Sequence, residues 1–312
     1  ETQSQIESLD SKMPGADAGF EEVIEKLVHS DTIASKGLEL SARGFQKLSE
    51  GDVPQAIAEF QNAAADWRRL QIEMLYLSAN MYDLLGNVAA AETTLGSAIS
   101  LDSKDARLRM LQGKFSELKG DYIKARDAYG LAVKLMEASG VSGYRQALAL
   151  KELATLQRQL DQKVEGEASF RQALDIVSGK VDPASVVAAI AIKNDLAAFL
   201  SFEGRWDEAQ QLFSEAKGSL DKLMSSRPGT VSSPEYPLYF IETLTNAAAL
   251  FYFEGRFAES EKWLNTALKA QLDAGGRTRI SYAVGLLQQG SLQYRQRQFS
   301  KADATLNQSE AI

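Results

Sequence analysis

Residues Gly120–Val133 read GDYIKARDAYGLAV, and four other stretches align with them without a gap: GDVPQAIAEFQNAA from Gly51, GNVAAAETTLGSAI from Gly86, GRWDEAQQLFSEAK from Gly204 and GRFAESEKWLNTAL from Gly255. Five residues after each glycine stands a small residue: Ala56, Ala91, Ala125, Ala209 or Ser260. Four further on comes a large apolar one (Phe60, Leu95, Tyr129, Phe213, Leu264), and three beyond that an alanine (Ala63, Ala98, Ala132, Ala216, Ala267). Steps of three, four and seven place these residues on one stripe of a helix. Seven residues before each glycine is another small residue, Gly44, Ala79, Gly113, Ala197 or Ala248. Two degraded copies complete the set. One turns at Asp161, with Ala154, Gly166, Phe170 and Ala173; the other turns at Arg297, with Gly290, Ala302, Leu306 and Ser309.

The positions of the small residues carry the physical reading. A first helix with Gly or Ala at mid-face lets a second helix lie close against it, and the glycine between them ends the first helix at a position that takes positive φ. Each copy is therefore a helical hairpin. A hairpin cannot bury its apolar face alone, so hairpins stack into a solenoid stabilised by neighbour interfaces. The pattern resembles the tetratricopeptide repeat from about Gly37 to the end of the chain. That resemblance implies an all-α, right-handed α-solenoid superhelix of about seven hairpins, with a concave face lined mainly by the first helix of each.

The period is uneven. From Ala56 to Ala91 is 35 residues and from there to Ala125 is 34, whereas the later steps are 41 or longer. The sequence thus divides into a polar leader with a short helix over 1–36, short-period repeats over 37–140 and longer-period repeats over 141–312, the last resembling the longer-helix variety of kinesin light chains. The leader helix, FEEVIEKLV from Phe20, is expected to end near His29. SSRPGTVSSPEYP from Ser225 reads as an exposed loop that ends in a Ser233-Pro234 cap, and Asp182-Pro183 and Asp52-Val53-Pro54 read as further helix starts.

Composition narrows the chemistry. The 312 residues include no cysteine and one histidine, which excludes disulfides, thiol nucleophiles, iron–sulfur clusters and any site built on two imidazoles. With 34 basic against 42 acidic residues, no nucleic-acid partner is expected. The longest apolar runs, VVAAIAI from Val186 and AAALFYF from Ala247, are far below the ~18 residues of a membrane span, so a soluble chain without membrane insertion is expected, its compartment left open. The glycines form neither a phosphate loop nor a dinucleotide fingerprint. No catalytic, cofactor-binding or metal site is expected.

What remains is binding. Trp206, Tyr129, Phe213 and Trp263 fall on the stripe or at a turn and are expected in the core. First-helix residues pointing away from the stripe are the candidates for a partner-binding groove: Tyr76, Asn80, Asp83, Arg107, Lys114, Lys151, Arg158, Asn194, Asn246, Tyr252 and Tyr294. Asn194 and Asn246 stand out because a side-chain amide can both donate to and accept from a peptide backbone. The carboxylate clamp that the resemblance would bring for chaperone tails is mostly absent, since Ser41, Phe45, Leu77, Arg107 and Leu111 occupy its places. The expectation is a non-catalytic scaffold for a protein or extended peptide. The alternative is a sensory or regulatory module of a larger protein whose effector domain lies outside this chain. Because no polar capping helix follows the last hairpin, the chain is expected either to continue or to form a homodimer through that uncapped C-terminal end.

Overall fold

Every hairpin is closed by the same backbone device. At the turns Gly51, Gly86, Gly120, Asp161, Gly204, Gly255 and Arg297, φ lies between 60 and 82°. The following N–H reaches back five residues, as in Asp52 to Lys47 O (2.9 Å), Asn87 to Tyr82 O (2.8 Å), Gln162 to Gln157 O (2.7 Å) and Gln298 to Gln293 O (2.8 Å). This is the Schellman pattern, which satisfies carbonyls that a helix end would otherwise leave open. The two degraded copies use it with Asp161 and Arg297 in the left-handed region that glycine occupies elsewhere. After the turn, Asp52, Asn87 and Asp121 cap the second helix by accepting from the N–H of Gln55, Ala90 and Lys124 at 3.1, 3.2 and 3.3 Å. Later turns place Arg205 and Arg256 there instead, paired with Glu208 (2.6 Å) and Glu259 (3.1 Å).

A computed structural model describes residues 19–140, 142–226, 235–273 and 280–311. Among them are thirteen α-helices and no strand. The chain divides into two compact units, Glu1–Ser139 and Gly140–Ile312. The first contains α1 (Gly19–Ser49), α2 (Val53–Leu84), α3 (Val88–Leu101), α4 (Ala106–Leu118) and α5 (Tyr122–Ala138). The second contains α6 (Tyr144–Gln159), α7 (Lys163–Val177), α8 (Pro183–Phe202), α9 (Trp206–Ser226), α10 (Glu235–Phe253), α11 (Phe257–Asp273), α12 (Ile280–Arg295) and α13 (Phe299–Glu310). In this second unit the hairpins α6/α7, α8/α9, α10/α11 and α12/α13 stack so that the first helices α6, α8, α10 and α12 pack successively against one another.

Small residues allow the close approach inside each hairpin. A Cβ added at Gly44 would stand 2.6 Å from the Phe60 ring, at Gly113 2.8 Å from Tyr129, and at Gly290 2.7 Å from Leu306. The alanines of the stripe, Ala79, Ala91, Ala98, Ala125, Ala132, Ala197, Ala209 and Ala216, are fully buried. Ser260, the one hydroxyl among the small residues that follow the turn glycines, donates to Ala248 O at 2.7 Å and so ties its two helices together.

Two boundaries differ from the sequence reading. The expected leader helix does not end near His29, because α1 runs unbroken through His29 and Gly37 to Ser49. No proline interrupts that stretch, and its two interior glycines, Gly37 and Gly44, cost only about 1 kcal/mol each, which packing against α2 offsets. The second helix of the first hairpin and the first helix of the next are likewise one rod, α2. The joint, NAAADWRRL from Asn62, is rich in strong helix formers and has no breaker. Residues 1–18 of the leader, the segment with the Ser233-Pro234 cap, and Ile312 lie outside the described residues. Asp182, however, caps α8 as expected, accepting from Ser185 N at 2.9 Å with Pro183 in the first turn.

Helix α8 is long and apolar enough, by length and composition, to cross a membrane, and 56% of its most apolar window is buried within the protein. Ile190, Ile192, Leu196, Phe199 and Leu200 are all almost inaccessible. Its continuous hydrophobicity follows from having helices on three sides, since the first helix of an internal hairpin packs on its own partner and on both neighbouring hairpins.

Candidate functional site

That same three-sided environment decides the fate of the eleven candidates. "Away from the intra-hairpin stripe" covers both the open surface and the seams between successive hairpins, and most candidates lie in seams. In the first unit the Arg107 guanidinium grips Glu73 of α2 through two hydrogen bonds (2.6 and 3.1 Å), binds Asp105 (2.6 Å), and lies over the Tyr76 ring at 5.6 Å. Burial opposes its charge, yet the hydrogen bonds it donates to Asp105 and Glu73 outweigh that and hold its pKa above the ordinary arginine value. Lys114 reaches Asp83 at 2.7 Å, and Asn80 donates to Tyr76 O on its own helix at 2.8 Å. These five residues join α2 to α4 or bond within α2.

The second unit repeats the theme. Lys151 of α6 sits between Glu152 (3.1 Å) and Asp195 of α8 (3.0 Å). Burial works against its charge, but the two carboxylates more than offset it and raise its pKa above the usual lysine range. Arg158 of α6 stacks over Phe202 of α8 at 5.4 Å, and Tyr252 of α10 accepts from Arg295 Nε of α12 at 3.1 Å.

Asn194 is the clearest correction. It is fully buried and donates to Thr243 Oγ1 of α10 at 2.7 Å, so it clasps two hairpins and presents nothing to a ligand. Asn246, by contrast, is half-buried in the wall of a surface pocket. The two asparagines are not equivalent: Asn194 lies ten residues before its turn glycine and Asn246 nine before its own. One residue is about 100° of helix, enough to turn a side chain from the open face into the seam. Tyr294 is 62% exposed at the end of α12, edge-on to Phe299 at 5.3 Å. Among the expected core residues, Tyr129 and Phe213 are buried, while Trp206 and Trp263 are only partly so.

Two adjoining pockets open between the first helices of the second unit. One, about 300 Å³, lies between α8/α9 and α10, walled by Phe202, Trp206, Phe213, Asn246, Ala249 and Phe253. The other, about 310 Å³, lies between α10/α11 and α12 and is walled by Ala249, Tyr252, Phe253, Leu264, Leu287 and Gln288. Ala249 and Phe253 belong to both. No charged side chain lines either pocket. Each receives one amide from nine residues before its turn, Asn246 in the first and Gln288 in the second, and Gln288 Oε1 is buried without a hydrogen-bond partner. Sequence reasoning missed Gln288, Phe202 and Phe253, although the register that found Asn246 also finds Gln288, and Phe202 and Phe253 both stand two residues before a turn glycine.

A third cleft, about 490 Å³, lies in the first unit beside the Arg107 cluster and is lined by Arg68, Arg69, Glu73, Asp102 and Asp105. Its central charges neutralise one another. Among the described residues no group of three or more acidic or histidine side chains gathers as a metal site.

No family model and no curated protein matches the sequence. Solved structures do match the fold. The apo quorum sensor NprR from B. thuringiensis superposes with a TM-score of 0.60 at 13% identity, covering 89% of this chain and 74% of that one. PilW, a type IV pilus biogenesis factor, gives 0.54 at 13% identity over 77% of this chain and 90% of its own. The STAND protein with a tetratricopeptide-repeat sensor, PH0952 from Pyrococcus horikoshii, gives 0.57 at 11% identity over 87% of this chain and 41% of its own. With the turn geometry and the hairpin stacking, these place the chain in the tetratricopeptide-repeat fold, an all-α solenoid of helical hairpins.

Proposed function

We propose that this protein is a non-catalytic peptide-binding module and that the α8–α10–α12 surface is its recognition face. The observation that carries this reading is the pair of contiguous apolar pockets that share Ala249 and Phe253, each furnished with one side-chain amide. Apolar concavities with a few placed polar groups are the usual form of a ligand site. An amide that can donate and accept suits a peptide backbone, and Gln288 Oε1 has unused accepting capacity there. Phe253, the wall common to both pockets, is 68% exposed and so open to an apolar side chain of a ligand. NprR, which shares the fold, has been solved in complex with its cognate peptide NprX, and this supports a peptide as the class of ligand. The affinity expected of this surface is micromolar, about -8 kcal/mol.

The test is selection of displayed random peptides on the folded protein, followed by titration of the winners. Ala249→Trp should fill both pockets and Phe253→Ala should remove their common wall, each weakening the selected peptides by about tenfold or more. Failure to select any peptide, or equal binding by the wild type and both variants, would overturn the proposal.

A further inference from the structure

Resting on that reading, the geometry points to the chemistry of the occupant: we infer an extended segment with two apolar side chains at its centre and a carboxylate toward each end. A row of side chains lies at the turn ends of the four first helices. In order from α6 to α12 the row reads Arg158, Phe202, Phe253, Arg295, each two or three residues before its turn. The two phenylalanines are 73 and 68% exposed and wall the pockets, whose uncharged linings suit apolar side chains.

The arginines at the two ends are held differently from their neighbours. Arg171, Arg205 and Arg256 are each tied to glutamates at 2.6–3.1 Å. Arg158 lies over the Phe202 ring at 5.4 Å, Arg295 lies over the Tyr252 ring at 5.9 Å, and neither meets a carboxylate among the described residues. Contact with the ring face helps to position each guanidinium; Arg295 gives its Nε–H to Tyr252 Oη at 3.1 Å, and its terminal N–H groups are left to form a two-pronged bond with a carboxylate. A cation oriented in advance and without a counter-ion, at each end of an apolar row, is complementary to an acidic–apolar–acidic ligand. The chain's net charge of -8 makes this a local complementarity and not a general attraction for acids.

Dimensions set the spacing. Packed helices lie about 8–10 Å apart, so the three steps from α6 to α12 span about 24–30 Å, which an extended strand covers in about eight or nine residues. The two pockets are one step apart, about three residues.

The experiment uses the whole protein and fluorescein-labelled twelve-residue peptide pools. The pools carry Glu, Gln or Lys at each flank, the two flanks varied independently, and either Leu/Phe three residues apart or Ser at the centre, with the remaining positions drawn from Gly, Ser and Ala. Anisotropy titration should show the Glu-flanked, apolar-centred pool binding about tenfold tighter than its Gln-flanked counterpart at low salt. R158Q and R295Q should each abolish the preference for Glu at one end only, and the double variant at both. Circular dichroism melts check that the variants remain folded, and the single variants serve if the double one does not. Equal affinity for Glu and Gln flanks, or a Glu preference that survives in R158Q/R295Q, would overturn the inference while leaving the peptide reading intact. If no pool binds and display selection also yields none, the peptide reading itself falls and this inference with it.

Discussion

Asn194 and Asn246 look alike in the sequence, and one residue of register separates a structural clasp from a candidate contact. Asn194→Ala removes a buried donor to Thr243 and should lower stability by about 1–3 kcal/mol, whereas Asn246→Ala should change stability by less than about 0.5 kcal/mol and weaken peptide binding. Chemical denaturation of the two single variants, read beside a peptide titration, checks this split; a destabilised Asn246→Ala with unchanged binding would contradict it. The turns offer a second case at this scale. Asp161 and Arg297 hold φ of 60 and 61° where the sibling turns have glycine, so D161G and R297G should each stabilise the protein by about 0.5–1 kcal/mol. Thermal melts would decide it, with no gain or a loss counting against the strain. The sequence made these two turns legible because spacing survives where the glycine is lost. Exposure was less legible, since a helical step of 100° per residue leaves no margin for an alignment offset of one.

Among the elements, the hairpin was fully readable and its neighbours were not. The Gly44–Phe60, Gly113–Tyr129 and Gly290–Leu306 contacts are the pairs that the small-to-large offsets imply. Seams between hairpins follow no fixed residue type: ion pairs join Arg107 to Glu73 and Lys151 to Asp195, while a hydrogen bond joins Asn194 to Thr243. For that reason residues read as groove candidates proved to be joints, and α1 and α2 ran on where a break was expected. Lys151 shows what such a joint contributes. Its removal in Lys151→Met leaves Glu152 and Asp195 without their cation and should destabilise the protein by about 2–3 kcal/mol. The folded-state pKa of Lys151 is raised, so its contribution is complete below the ordinary lysine pKa and is lost as the pH rises through the higher folded value. The gap between wild type and K151M should therefore hold steady from about pH 6 to 9 and narrow only beyond about 10.4. A gap that instead narrows on acidification alone would assign the effect elsewhere.

For the molecule as a whole, the absence of cysteine and the near-absence of histidine suit a chain whose side chains are committed to stacking helices and presenting a surface. Periodicity reveals the fold because every repeat must meet the same packing demand. The proposed recognition face uses fixed registers but varied residue types, so it appears only when α8, α10 and α12 are set side by side and their turn-end residues fall into one row. The most direct measurement of that face is a map of backbone amide chemical-shift changes as a selected peptide is titrated into the isotopically labelled protein. Perturbations should centre on Asn246, Ala249, Phe253 and Gln288 and extend to the ends of α6 and α12. Perturbations confined to the second helices α9 and α11, or to the first unit, would contradict the assignment of the peptide site to this surface.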